Sequence, residues 1–303
     1  MKRANKSPYY FKSLTGFHKV LGLPKPMHPL VSLVDIQDIK DSPAELANSY
    51  ILDFYKIAYK ISFEEIKYGQ NYFDYGEGGM IFTSPQQVFE APTDTENKGK
   101  LLFIHPDFLL SYPLAKKIKE YGFFSYDINE ALHLSDREKS MVFSIFKIID
   151  DELQNRIDDF SQDVIISQVE TLLNYGNRFY KRQFITRKVF SNDLLQKLDD
   201  ILNDSFNFEL AYRQGIPTVQ YLAEALSMSS NYLSDMLRSL TGQSAQQHIH
   251  NKLIEKAKES LSTTNLSISE IAYRLGFEHS SSFTKLFKNK VNVTPVEFRK
   301  SFT

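Results

Sequence analysis

A pattern of two short helices around a tight turn occurs twice between Ile216 and Thr303, and no other stretch of the chain constrains the fold as much. In the first copy Val219, Leu222, Ala223 and Leu226 fall at i, i+3, i+4 and i+7, one apolar stripe of a helix. Ser227-Met228-Ser229 breaks the stripe. Leu233, Met236, Leu237 and Leu240 then renew it as far as Thr241-Gly242, a glycine stop. A shift of 49 residues carries Leu222, Ala223, Leu226, Ser227 and Met228 onto Ile271, Ala272, Leu275, Gly276 and Phe277. Beyond the turn a shift of 50 carries Leu233, Met236, Leu237, Arg238 and Gly242 onto Phe283, Leu286, Phe287, Lys288 and Asn292. A helix-turn-helix is thus duplicated, with one extra turn residue in the second copy.

Two helices that cross steeply over a short turn bring their backbones together at one point, and the small Ala223 and Ala272 suit that crossing. Gly276, four residues after Ala272, stands where a turn calls for positive φ; Ser227 takes that place in the first copy. Between the copies, Ser244 to Ser262 reads as a helix with the stripe Ile249, Leu253, Ala257 and Leu261. At ~1.5 Å per residue it is about 30 Å long, close to the roughly 34 Å repeat of B-DNA. The second helix of each copy can therefore enter successive major grooves on one face of a duplex.

The runs Pro217 to Leu226, Ser230 to Ser234, Ser269 to Phe277, Phe283 to Lys288 and Thr294 to Arg299 resemble, in order and spacing, the DNA-binding domain of the AraC/XylS family of bacterial transcription regulators. The resemblance implies double-stranded promoter DNA as partner. It also implies an N-terminal cupin-like barrel that binds a small-molecule effector, dimerisation through the helices after the barrel, and RNA polymerase as a further candidate partner.

In the first recognition helix Leu233, Met236, Leu237 and Leu240 face the core and leave Asn231, Ser234, Asp235 and Arg238 on other faces. The resemblance maps groove-facing positions onto Asn231, Ser234 and Asp235. Asn can bond adenine in bidentate fashion, Ser is permissive, and Asp can accept from cytosine N4 while repelling phosphate. In the second copy Ser280, Ser281, Ser282, Thr284 and Lys285 take the corresponding places. Such short hydroxyls reach phosphate, sugar or base edges through water, so the sequence they read is degenerate. Arg238, Lys288 and Lys290 are assigned to phosphates. For each residue the bland alternative is an ordinary solvated helix face.

Charge qualifies that reading. Ile216 to Thr303 holds ten Lys and Arg against seven Asp and Glu, a net +3, which leaves −4 for the rest of a chain whose total is −1. That is modest for a DNA binder, whose non-specific affinity comes largely from phosphate neutralisation, so tight binding is expected to need two protomers or a second contact surface. The 303 residues suffice for two domains. The absence of cysteine excludes disulfides and thiolate metal sites and fits a reducing cytoplasm. No apolar run approaches the ~20 residues of a membrane helix, and Met1-Lys2-Arg3-Ala4-Asn5-Lys6 leads into Tyr9, Tyr10, Lys12 and His18 rather than a signal-peptide core.

The fold class expected is two-domain α+β: a cupin-like β-barrel with following helices, then an all-α domain. Residues 1–28 show no period and read as an arm. From Leu30, the runs Leu30–Ile36, Tyr50–Tyr59, Tyr72–Tyr75, Met80–Thr83, Gln87–Phe89 and Leu101–His105 read as short strands, placing a barrel at about 29–110. Helices fill about 111–180, one capped by Ser135 with Glu138 three residues on and striped by Val142, Phe146, Ile149 and Leu153, another opening at Ser161. Their apolar faces pack within the chain, pair with a second protomer, or do both. The basic stretch Lys181 to Lys188 reads as a linker (181–190) or a DNA contact, and 191–303 as the DNA-binding domain, opened by a helix from Asn192.

Enzymatic readings are weak. His248 and His250, at i and i+2, point about 200° apart on a helix and do not share a metal. His18, His28, His105 and His133 are scattered, without the tight His-x-His of metal-binding barrels. No Gly-rich phosphate loop or Gly-x-Ser-x-Gly elbow occurs. No cofactor and no catalytic residue is assigned. Three functions remain: an effector-responsive regulator, favoured because the first 215 residues hold 19 of 24 Phe and 14 of 17 Tyr and could line a ligand cavity; a regulator whose N-terminal domain only dimerises or binds a protein; and a cupin enzyme fused to a DNA-binding tail.

Overall fold

The structure, a computed structural model, describes residues 8–40, 49–60, 67–68, 71–72, 78–90, 98–155, 158, 160–186, 188–207, 211 and 213–302. Backbone contacts divide the chain into two units, Met1–Gln183 and Phe184–Thr303.

The first unit is a mixed α/β body. In chain order it holds β1 (Tyr9–Phe11), α1 (Leu14–Val20), β2 (Val31–Asp35), β3 (Ser49–Leu52), β4 (Tyr55–Lys60), β5 (Lys67–Tyr68), β6 (Asn71–Tyr72), β7 (Gly79–Thr83), β8 (Val88–Glu90), β9 (Gly99–Ile104), α2 (Leu114–Lys117), β10 (Leu132–His133), α3 (Asp136–Gln154) and most of α4 (Ser161–Thr186), with short 3-10 turns between β9 and β10. An antiparallel sheet runs β10-β7-β4-β9-β2; a second sheet runs β1-β3-β8, with β1 parallel to β3. The described strands form these separate sheets and a small β5–β6 ladder rather than one closed barrel.

Alternation assigns the two faces of the larger sheet. Ile57, Met80, Phe82 and Leu102 share one face, all fully buried or nearly so. There Phe82 meets Phe123 at 4.4 Å between ring centroids, and Tyr59 meets Phe143 of α3 at 4.7 Å. Phe103 and Val34 lie on the opposite face and enter a cluster with Phe11, Leu14, Phe17, Tyr50, Leu52 and Phe54. Full burial of each such side chain stabilises by about 1.5–3 kcal/mol.

Two sequence expectations change here. The apparent run Tyr50–Tyr59 is two strands in different sheets, because the chain turns at Asp53-Phe54 and Phe54 drops into the core. Residues 8–28, expected in an arm, include β1 and α1, whose Phe11, Leu14 and Phe17 are buried. His18 fastens α1: its Nδ1 donates to the Pro24 carbonyl at 2.7 Å and its Nε2 accepts from Ser32 of β2 at 2.9 Å. Residues 1–7 of that arm and 73–75 of the run Tyr72–Tyr75 lie outside the described residues.

The Ser135–Glu138 capping box forms as the spacing predicts, and Val142, Phe146, Ile149 and Leu153 are buried. The buried face of α4 continues through Phe179, Tyr180, the polar Gln183 and Phe184, and the helix persists to Thr186 and takes in the first part of the expected linker. Arg182 of that basic stretch donates to Glu138 at 2.7 Å and to the His133 carbonyl at 2.7 Å.

The second unit contains the end of α4 and then only helices among its described residues: α5 (Lys188–Ser205), α6 (Val219–Ala225), α7 (Ser230–Thr241), α8 (Ala245–Thr263), α9 (Ile268–Arg274), α10 (Ser280–Val291) and α11 (Pro295–Lys300). α8, capped by Ser244 and Gln247 and ~28 Å long at ~1.5 Å per residue, packs against α5, α6, α7, α9 and α11. Its Ile249, Leu253, Ala257 and Leu261 are buried, as the stripe requires, and Lys252 pairs with Asp199 of α5 at 3.0 Å.

Candidate nucleic-acid interface

Each copy of the helix-turn-helix is held by equivalent devices. Thr218 caps α6 through the Tyr221 N–H, and Ser267 caps α9 in a capping box with Glu270. Leu222 and Ala223 are buried in the first copy, and Ile271 and Ala272 in the second. At the turn Ser227 has φ 56° and Gly276 φ 86°, both left-handed as their aligned positions require. The recognition helices end alike, α7 at Gly242 with φ 77° and α10 at Asn292 with φ 65°. Four residues, 226–229, separate α6 from α7, and five, 275–279, separate α9 from α10, so the extra residue is in the turn.

The inner faces of α7 and α10 carry Leu233, Met236 and Leu237, and Phe283 and Phe287. Leu240 and Leu286, expected in the core, are half-buried. Tyr232, absent from the expected stripe, is 6% exposed because it packs edge-on against Phe184, at 5.1 Å. Phe184 belongs to a helix far away in sequence, so local periodicity carries no sign of it.

On the outer faces, Asn231 and Arg238 are exposed, and Ser234 and Asp235 half-buried. Arg238 donates to Asp235 at 2.9 Å. The two cancel one another's charge on α7, and the guanidinium assigned to phosphate is held by its own helix. On α10 Ser281, Ser282, Lys285, Lys288 and Lys290 are exposed, and Ser280 and Thr284 half-buried. The Thr284 hydroxyl donates to the Ser280 carbonyl at 3.0 Å, so toward a duplex it offers its lone pairs. With three Lys and no Asp or Glu, α10 is the more attractive helix for phosphate. His279, the exposed N-cap of α10, makes no side-chain cap bond; it aligns with Ser229, whose hydroxyl does cap α7. Its place beside the serine run was the signal available for it.

His248 and His250 of α8 have separate partners. His248 Nε2 is 2.9 Å from Thr241 Oγ1, whereas His250 Nε2 accepts from the Gln246 amide at 2.9 Å. Burial lowers the pKa of both, and the nearby Lys290 charge lowers that of His250 further. Among the described residues no group of three His, Cys, Asp or Glu could hold a metal ion, and no helix is long and apolar enough to cross a membrane.

Two reading heads of one design around a connecting helix with one buried stripe define a tandem helix-turn-helix DNA-binding domain. Residues 222–301 match a family model described as a helix-turn-helix domain. The domain is of the AraC type. The chain is 24% identical over 261 residues to the uncharacterized HTH-type transcriptional regulator YfiF of Bacillus subtilis, covering 80% of this chain and 78% of that protein. It is 32% identical to the raffinose operon transcriptional regulatory protein RafR of Pediococcus pentosaceus, over 32% of this chain and 37% of RafR. To the transcriptional activator RhaS of Escherichia coli it is 31% identical, over 36% of this chain and 35% of RhaS. The chain thus spans about a third of those two relatives. Among solved structures, the C-terminal domain of the response regulator yesN from Fusobacterium nucleatum is 34% identical, covering 35% of this chain and 98% of that one, with a TM-score of 0.32.

Proposed function

We propose that the protein binds double-stranded promoter DNA with α7 and α10 in successive major grooves, and that its first unit acts as a cupin-like sensor that binds a small-molecule effector and pairs with a second copy of the chain. The observation that carries the DNA reading is the repetition of one head, down to the left-handed turn and cap residues, at the two sides of α8. Asn231, Ser234 and Asp235 contact base edges in one groove. Ser280, Ser281, Ser282, Thr284 and Lys285 contact the next, and Arg238, Lys288 and Lys290 contact phosphates. Effector binding shifts the population between arrangements that present the heads differently.

Hydroxyl-radical footprinting on fragments selected from genomic DNA tests this. Protection of two grooves a helical turn apart is expected; protection of one groove, or no binding even at low salt, overturns it. A thermal-shift screen of the full chain against sugars, organic acids and aromatic metabolites separates an effector-binding first unit from one that only pairs with a protein.

A further inference from the structure

β2 is the outermost strand of the larger sheet, with β9 as its one neighbour among the described strands. The His105 N–H donates to the Leu30 carbonyl at 2.7 Å, and the register Val31↔Ile104 continues that ladder. Leu30, Ser32 and Val34 thus turn their backbone groups toward β9. The N–H and C=O of Val31, Leu33 and Asp35 point the other way, and all three residues line a groove of about 580 Å³. The groove has a wall on each side of the sheet. On one side Ser32 bonds His18, Val34 packs in the cluster of α1, and the segment after α1, with Leu23, Pro24 and Met27, flanks the edge. On the other side, where Tyr59 meets α3, the last turn of α3 contributes Asp150, Leu153 and Gln154. Asp35 is neutralised by Lys100 at 2.8 Å, whereas Lys25, Lys40 and Asp38 stand exposed in the lining.

We infer that this groove takes a short peptide in extended conformation, added to the sheet as a further strand beside β2. Outward donors and acceptors repeat along β2 at every second residue, roughly 6.8 Å, and an extended backbone is the chemistry that matches that repeat. Alternate side chains of the peptide then meet the wall after α1 and the wall of α3. Lys25 and Lys40 suit its terminal carboxylate and Asp38 its ammonium, so free termini complete the match. The β2 edge of a second copy does not fit. It carries the same two walls, which collide before the strands reach the ~4.8 Å spacing of a ladder. The inference rests on the reading of the first unit as an effector domain and gives the effector a chemical class.

Calorimetry and thermal shift on the full chain test it with a positional-scanning library of tetrapeptides with free termini. Selected peptides are expected to bind and raise the melting temperature. N-methylation should abolish binding at one alternate set of peptide residues, those whose N–H faces β2, and be tolerated at the other. Blocking both termini should weaken binding roughly tenfold. Leu33→Pro removes an N–H that faces the groove but no ladder bond to β9, and should weaken binding by a similar factor, whereas Leu33→Val should not. Should Leu33→Pro melt far below the wild type, the methylation pattern decides alone. No response to any tetrapeptide, a methylation effect without alternation, or full binding by a folded Leu33→Pro overturns the inference. So does a dimer that Leu33→Pro dissociates in sedimentation while the wild type ignores peptides, since the edge would then belong to a second copy. If metabolites raise the melting temperature and tetrapeptides do not, the effector domain stands and only the peptide class is removed; silence to both removes both.

Discussion

Gly276 and Gly215 meet backbone to backbone. A Cβ added to Gly276 would stand 2.6 Å from the Gly215 carbonyl carbon and 2.8 Å from the Ile216 nitrogen. The turn of the second head is thereby seated on the segment that leads into the first, 61 residues earlier in the chain. Gly276 also has φ +86°, so two independent constraints select glycine there. Ser227, at the matching place in the first turn, has φ 56° but is exposed, and its side chain has room.

Exchanging the two residue types should therefore be asymmetric. Gly276→Ser is expected to cost about 2–4 kcal/mol, from left-handed strain of ~1–2 kcal/mol and the backbone clash. Ser227→Gly should stay within about 1 kcal/mol. Denaturant unfolding followed by helical circular dichroism measures both. Equal effects would mean that the contact yields easily.

Lys288→Ala should weaken binding to all DNA sequences alike and reduce the slope of log K against log salt by about one. A changed base preference with an unchanged slope would reassign Lys288 from phosphate to base reading.

Asp235→Asn removes the charge that holds Arg238. Because a surface pair of this kind contributes only ~0–1 kcal/mol, the melting temperature should barely move. Affinity for unrelated DNA should rise and its salt dependence steepen as Arg238 becomes available to phosphate. Binding-site selection should show the preference at one position moving from cytosine toward adenine, since the Asn amide both donates and accepts. A selected motif identical to that of the wild type would exclude Asp235 from base reading.

Acid should loosen the second unit. The folded-state pKa values of His248 and His250 lie below the ordinary 6.5, so as pH falls from about 6.5 toward those lowered values the unfolded chain binds more protons than the folded one. Stability is complete above that window and declines within it. A melting series from neutral to acid pH should show the decline, and the double variant His248→Gln/His250→Gln should flatten it. An unchanged slope in the double variant would place the effect elsewhere, with His28 the next group to remove, since burial lowers its pKa as well.

The legible features share a property: each is set by neighbours within one or two turns of helix. The capping box at Ser135 needs only residues three apart. The apolar stripes of α7, α8 and α10 need spacings of three and four, and the left-handed residues 227, 242, 276 and 292 follow from where the stripes stop. The outward faces of the recognition helices were legible for the same reason, as what the stripes leave over.

Local pattern could not divide Tyr50–Tyr59 between two sheets, since both halves are equally apolar and β-prone and only the pairing of β3 with β8 and of β4 with β7 separates them. Nor could it find the core residues of residues 8–28, where β1 and α1 are too short to show a period.

From the order of its residues alone the chain determined that it carries two reading heads, where each begins and ends, and which side chains each turns outward, because helix period, capping and backbone handedness act over a few residues. Tertiary structure alone decided that Gly276 must clear Gly215, that Tyr232 is covered by Phe184, and that Lys56 and Thr83 stand side by side on one sheet face. Those outcomes depend on which distant segments come within van der Waals reach, and close packing settles that only once the whole chain has folded.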